Sequence, residues 1–259
     1  LMNNFRVFSD SAKGIMHENQ DVGLAKVKAN HAYLIVSDGH GGKDYIRSHI
    51  GAKHAVLALE AIFNDFASNY KNFDSINHAE QTLKEKIITS WRKLTIDHYI
   101  NNPLPSYEID PYKLYGATLL GVLLKDDYMV VIQIGDGNIL ALLENEDIVQ
   151  YFKKDKKLVG NETTSICEIN AIKDLHVKIV KLNVLPILIM VTTDGVINSF
   201  TDINDFYSLP KEVVMEIKSL GFNKTCQNFR QLLNDMVNKG SGDDCTVAIL
   251  YNFSPTNFK

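Results

Sequence analysis

Leu34-Ile35-Val36-Ser37-Asp38-Gly39-His40-Gly41-Gly42 is the stretch on which the reading of this chain turns. An apolar run leads into a serine, a carboxylate, an imidazole and three glycines. That is the texture of a buried strand ending in a tight turn. A strand end is rigid and can hold a carboxylate in a fixed place. The glycines let the backbone turn sharply and come close to a ligand. A carboxylate here can hold a hard cation, with the Gly39 carbonyl as a second oxygen ligand. His40 can give or take a proton near neutral pH. Taken alone, the stretch equally suits an ordinary strand-to-helix turn in which Asp38 caps the helix.

The same grammar recurs along the chain. Asp194 follows an apolar run and precedes Gly195, and Asp136 lies between Gly135 and Gly137. Asp243 follows Gly242 just before the last apolar run, and Asp21 stands just before another. Singly, an Asp-Gly pair is more often only a turn. Carboxylates gathered from several strand ends on one rim would repel one another unless cations neutralise them. All-oxygen ligation suits Mg²⁺ or Mn²⁺ rather than zinc or copper. Two such ions about 3.5–4 Å apart can activate a water and clamp a phosphoryl oxygen, which is the chemistry of phosphate-ester hydrolysis.

The whole chain bounds the answer. Its 259 residues, 45% hydrophobic and 22% charged, suit a globular protein with a sizeable core. A net charge of −4 gives no support for nucleic-acid or anionic-membrane partners. Apolar runs stop short of the roughly 18 residues needed to span a bilayer. Leu1-Met2-Asn3-Asn4-Phe5-Arg6 lacks signal-peptide architecture, so a cytoplasmic location is expected. Cys167, Cys226 and Cys245 are widely spaced and form no CxxC pair, which reads as free buried thiols. None is followed by the arginine of a Cys-x5-Arg loop, which argues against a tyrosine-phosphatase mechanism.

Strands are expected over residues 5–9, 22–27 and 32–36. Two long helices follow. Ile46, Ile50, Leu57 and Ala61 mark the apolar face of the first, and Ile76, Ala79, Leu83, Ile87 and Trp91 that of the second. His49, His54, His78 and His98 on these helices read as structural or surface residues. Pro103, Pro105 and Pro111 make residues 101–115 a long connector. Strands are expected again over 118–124, 128–134, 139–143 and 148–152, with hairpin turns at Asp126-Asp127 and at Gly135-Asp136-Gly137-Asn138. Residues 153–170 are polar and carry Lys153, Lys154, Lys156 and Lys157, the mark of a solvated face. Strands over 177–182 and 187–191, helices near 210–220 and 225–238, and a strand over 245–251 complete the chain. Two helix pairs around a block of strands predict an α+β fold. Its form would be a four-layer α/β/β/α sandwich of two antiparallel sheets, in one domain over 1–259.

The ordered motifs Asn19-Gln20-Asp21, Ser37-Asp38-Gly39-His40-Gly41-Gly42, Gly116-Ala117-Thr118, Gly135-Asp136-Gly137, Thr193-Asp194-Gly195 and Gly242-Asp243-Asp244-Cys245-Thr246-Val247 span nearly the whole chain. In order and spacing they resemble the metal-dependent protein phosphatases, the PPM or type 2C family. The resemblance implies the same four-layer sandwich, a centre of two Mn²⁺ or Mg²⁺ ions between the sheets, and hydrolysis of phosphoserine or phosphothreonine on protein substrates. By position it implies that Asp38 bridges the ions and that the Gly39 carbonyl, Asp194 and Asp243 ligate them, with Asp21 reached through water. His40 would be the general acid for the leaving oxygen, and Asp136 would help hold a weaker third ion. Residues 144–176 match the family's variable flap by location.

This sequence also departs from the family pattern. Many members carry a phosphate-gripping arginine before the Asn-Gln-Asp motif; here Met16 stands there, with His17 beside it as the candidate replacement. A histidine lacks the bidentate fork of arginine. Asn138 stands where an arginine often follows the Gly-Asp motif, and Asn198 where a second third-ion aspartate is common, so a third ion is expected to bind weakly or not at all. Two other readings follow: a catalytically weak binding or sensor module on the same fold, and a hydrolase of small phosphate esters.

Overall fold

The computed structural model describes residues 4–15, 18–69, 75–104, 110–152 and 163–254. Within them the chain runs β1 (Phe5–Ala12), β2 (Val22–Val27), β3 (Ala32–Ser37), α1 (Ser48–Asn69) and α2 (Ile76–Asn101). Then come β4 (Leu119–Lys125), β5 (Tyr128–Ile134), β6 (Asn138–Leu142), β7 (Ile148–Gln150), α3 (Ala171–Asp174), β8 (His176–Lys181) and β9 (Leu188–Thr192). The last elements are α4 (Asp194–Ile197), α5 (Ile203–Leu220), α6 (Phe222–Lys239) and β10 (Cys245–Asn252). One sheet has the order β1-β10-β9-β6-β7, the other β2-β3-β4-β5-β8, each with five strands. Every pairing is antiparallel.

Period-two alternation builds the layers. On β4, Leu120, Val122 and Leu124 face the other sheet, together with Leu34 and Val36 of β3 and Val131 of β5. Ile139, Ile189, Val191, Ala248 and Leu250 meet them from the first sheet. The opposite faces carry the helices. Tyr33, Ile35, Leu119, Leu123, Val130 and Ile132 pack against α1 and α2 through Leu59, Phe63, Ile87 and Trp91. Leu140, Met190, Val247 and Ile249 pack against α5 and α6 through Phe206, Val213, Phe229 and Leu233. The order helix pair, sheet, sheet, helix pair is the expected sandwich. It exists because these strands are apolar on both faces.

Local differences have local causes. Gly135-Asp136-Gly137 does not turn a hairpin: β5 and β6 lie in different sheets, so this short turn carries the chain across the sandwich. The pairing partner of β5 after β4 is β8, more than 40 residues later, which no local pattern announces. α5 starts at Ile203 and not near residue 210, because the Asp202 side chain accepts from the Asn204 N–H and caps it there. Pro210 lies inside the helix, buried. Lys153, Lys154, Lys156 and Lys157 lie outside the described residues. Cys167 and Cys245 are buried, Cys226 is half-buried, and all are free. His54 bonds Thr95 at 3.3 Å and His98 bonds the Tyr115 hydroxyl at 2.7 Å, so both are structural. Among the described residues no helix is long and apolar enough to cross a membrane.

Two contacts fix α2, one to the second sheet and one to α1. The Glu80 carboxylate of α2 accepts the N–H of Ile179 on edge strand β8 at 2.8 Å. The Trp91 indole donates to the Gly51 carbonyl at 3.0 Å, drawing α2 against α1. On its other side Gly51 presses on the chain leading into β4. A Cβ at Gly51 would lie 1.8 Å from the Tyr115 carbonyl oxygen, well inside contact distance. Gly51→Ala is therefore expected to lower Tm by about 6–12 °C, the effect of about 3 kcal/mol of overpacking, as read by thermal denaturation. An unchanged Tm would contradict this account of the α1 contact.

Candidate metal centre

Register brings five strand ends to one rim. Val22 pairs with Ser37, so Asp21 and Asp38 leave β2 and β3 side by side. Val247 and Asn138 both pair with Thr192, so Asp243, Asp136 and Asp194 stand around the end of β9. The rim is where both sheets end together. All five candidate aspartates are therefore gathered there, while His17 lies outside the described residues.

Directed hydrogen bonds hold the Asp38 backbone and the Asp21 and Asp194 carboxylates. The Thr118 hydroxyl accepts the Asp38 N–H at 2.9 Å, and the Thr118 N–H donates back to the Asp38 carbonyl at 2.8 Å. Gly39 is fixed by its N–H to the Gln20 carbonyl at 3.2 Å. The Thr193 hydroxyl donates to Asp21 Oδ2 at 2.7 Å and itself accepts the Thr246 N–H at 3.0 Å. Asn198 donates its amide to Asp194 Oδ2 at 3.0 Å, so the residue where a carboxylate was in question acts as an orienting donor. Asp243 is exposed at the rim and Asp136 is half-buried.

The electrostatics are those of crowded anions. Burial is the first cause that raises Asp21 to about 7 and Asp194 to about 6. Asp38 is raised well above the usual carboxylate range, first by burial and then by Asp21, Asp194 and Asp243. Asp38 lies within hydrogen-bonding reach of both Asp21 and Asp194. Among the described residues no three acidic, histidine or cysteine side chains are drawn into a ready-made coordination set. Asp21 Oδ1 is buried with no hydrogen-bond partner. A buried carboxylate oxygen without a donor, beside other carboxylates, fits a divalent cation bound through oxygen.

His40 stands at the edge of this cluster. Its backbone N–H donates to the Gly116 carbonyl at 3.0 Å, and its ring meets Tyr45 edge-on with centroids 5.2 Å apart. Burial pushes the imidazole down to about 4, against an upward pull from Asp136. Nε2 is buried and has no hydrogen-bond partner, an unsatisfied polar atom beside the carboxylates.

Sequence reasoning assigned no role to Asp244. Its carboxylate accepts two backbone N–H groups at 2.6 Å, from Gly14 and from Gln20. It thereby pins the loop that delivers Asp21. The paired carboxylates Asp243-Asp244 were the only signal, and they do not say which one faces inward. Asn19 and Gln20 act likewise: Asn19 accepts the Asp21 N–H at 2.9 Å, and Gln20 donates to Ser48 at the start of α1 at 2.7 Å.

Residues 13–232 match the family described as Protein phosphatase 2C. The chain belongs to that family. At the level of sequence no curated protein matches it. Solved structures share the fold. The catalytic domain of the serine/threonine protein phosphatase PstP, solved with two manganese ions, is 15% identical with a TM-score of 0.65, covering 96% of this chain and 99% of that one. The S. agalactiae serine/threonine phosphatase is 18% identical with a TM-score of 0.61, covering 96% and 99%. Stp1 from Staphylococcus aureus is 17% identical with a TM-score of 0.61, covering 95% and 94%.

For this type 2C chain the raised carboxylates have a stability consequence. An aspartate titrates near 4 in an unfolded chain, whereas Asp194 is raised to about 6 and Asp21 to about 7. The folded state thus binds protons more tightly, and that stabilisation is full below about pH 4 and lost as pH rises through about 6 to 7. Calorimetry in chelator should show Tm of the metal-free protein falling over that range. Asp38→Asn should raise Tm at about pH 7.5 by about 3–6 °C, since it removes one repelling charge. A flat profile, or a lower Tm in the variant, would refute the repulsion. Asp244→Ala, which strands the Gly14 and Gln20 N–H groups, should cost about 2–4 kcal/mol in urea unfolding; a cost under about 0.5 kcal/mol would contradict the pin.

Proposed function

We propose that this protein is a metal-dependent phosphatase of phosphoserine and phosphothreonine on proteins, working as one cytoplasmic catalytic domain over residues 1–259 with a flap-like segment near 144–176. The observation that carries the reading is the buried, partnerless oxygen of Asp21 beside Asp38 and Asp194, in a chain of the 2C family. Asp38, Asp194, Asp243 and the Gly39 carbonyl would hold two Mn²⁺ or Mg²⁺ ions, with Asp21 acting through water and Asp136 offering a weak third position. When bound, such ions supply an activated water and a clamp on the phosphoryl oxygens.

The chain's own residues do the rest. The Thr118 and Thr193 hydroxyls keep Asp38 and Asp21 in place as charge at the rim changes. Thr193 links Asp21 to β10 as well, so the two sheets share the load. His40 hands a proton from its unpartnered Nε2 to the departing serine or threonine oxygen. Its low proton affinity in the free protein rises when a phosphate dianion arrives beside it, because an adjacent negative charge favours the imidazolium. In the sequence, His17 takes the place beside Met16 where many family members carry a phosphate-gripping arginine. One positive nitrogen there holds phosphate less firmly than a guanidinium fork, which predicts a high KM rather than a low kcat.

The test is phosphate release from a phosphothreonine peptide by metal-stripped protein, with Mn²⁺ or Mg²⁺ added back. Release is expected with metal only, and is lost in Asp38→Asn. No release, from protein that calorimetry shows binding Mn²⁺, would favour the sensor-module reading. Faster turnover of small phosphate esters than of the peptide would favour the metabolite reading. His40→Ala should lower kcat on the peptide by about 10²–10⁴. It should have a much smaller effect on p-nitrophenyl phosphate, whose leaving group departs without a proton. Equal losses on both substrates would remove His40 as the acid.

A further inference from the structure

Residues 164–166, within the flap-like segment, are fastened to the rim at two places. The Thr164 hydroxyl accepts the Gly135 N–H at 2.9 Å. Two residues on, the Ile166 N–H donates to the Ala117 carbonyl at 3.0 Å, and the Ser165 hydroxyl donates to the same oxygen at 3.2 Å. Ser165 and Ile166 are buried, so this anchor is packed as well as bonded.

Both attachment points lead straight to carboxylates. Ala117 precedes Thr118, whose hydroxyl holds the Asp38 N–H. Gly135 precedes Asp136 in the turn that crosses between the sheets. Gly135 has φ +108°, and a Cβ there would lie 2.5 Å from the Thr118 side chain. The Gly135 peptide is therefore wedged on one side by Thr118 and bonded on the other by Thr164. Below it, Gln133 donates to the Gly135 and Gly137 carbonyls at 3.2 and 3.0 Å, fixing the turn's acceptors but not its N–H. Thr164 is the side chain that engages this N–H, and the next peptide carries the Asp136 carboxylate toward His40 and Asp194.

We propose that Thr164 is a positioning residue. Its hydroxyl, holding the Gly135 N–H, fixes where the Asp136 carboxylate stands, and so makes the divalent-cation affinity of the rim depend on how residues 164–166 are seated. The proposal deepens the reading of the rim as a cation site and rests on it. A valine at 164 keeps the branched shape and removes the acceptor, leaving the Gly135 N–H without a partner. A serine keeps the acceptor and loses only a methyl group.

The experiment uses the full chain with Thr164→Val, Thr164→Ser and Asp136→Asn. Residue-resolved hydrogen exchange of the metal-free protein reads the bond: Gly135 should exchange at least about tenfold faster in Thr164→Val and close to the unsubstituted rate in Thr164→Ser. Calorimetric titration with Mn²⁺ reads the positioning. Thr164→Val should weaken binding at least about threefold, Thr164→Ser should restore it, and Thr164→Val should add nothing in the Asp136→Asn background, where no carboxylate remains to be placed. Unchanged Gly135 exchange, or an equal loss of Mn²⁺ affinity in both backgrounds, would overturn the proposal and leave Thr164 as packing. The predicted Mn²⁺ pattern in a protein that releases no phosphate would uphold the positioning role and remove the phosphatase reading. An unsubstituted protein that binds no Mn²⁺ would overturn both.

Discussion

Asp21, Asp38 and Asp194 each hold a proton more tightly than a free aspartate, first because burial strips them of water and then because other carboxylates crowd them, Asp21 and Asp194 acting on Asp38. Carboxylates left to themselves would turn outward to water, so the surrounding structure has to keep them facing inward. It does so with short, directed contacts from rigid parts: Thr193 on Asp21, Thr118 on the Asp38 backbone, Asn198 on Asp194. Thr193 and Thr118 can do this because they sit at the ends of strands locked in register by their neighbours, and Asn198 because it closes the short α4 that follows β9. The strands in turn hold register because both of their faces are buried, one against the facing sheet and one against a helix pair. The four layers are thus the frame that a cluster of like charges requires.

Much of this was written in short-range pattern. The apolar runs and the helix stripes placed most elements within a residue or two. Aspartates at run ends pointed to the rim before any pairing was known. What stayed hidden depends on partners far apart in sequence. Asp244 reaches Gly14 across 230 positions, and its role is invisible beside the equally acidic Asp243. Gly135-Asp136-Gly137-Asn138 has the composition of a hairpin turn, yet crosses between sheets, because the strand that completes the β5 edge is β8 and not β6. The helix expected near 210–220 starts at Ile203, capped by Asp202, and carries Pro210 in its interior. Gly51 gave no signal at all, because its need is set by a carbonyl 64 residues away, at Tyr115.

The contact between Glu80 and the Ile179 N–H bears on how this molecule can meet others. β8 is an outer strand of its sheet, and an outer strand offers unpaired backbone groups that a foreign chain can adopt as a template. Here a helix carboxylate already occupies an outward donor in the middle of that strand, and Lys178 and Lys181 are exposed along it. An extended segment trying to lengthen the sheet from this side would have to displace a charge-assisted bond and then lie beside two ammonium groups. Aggregation and recruitment by strand addition are both discouraged at that border of the sheet.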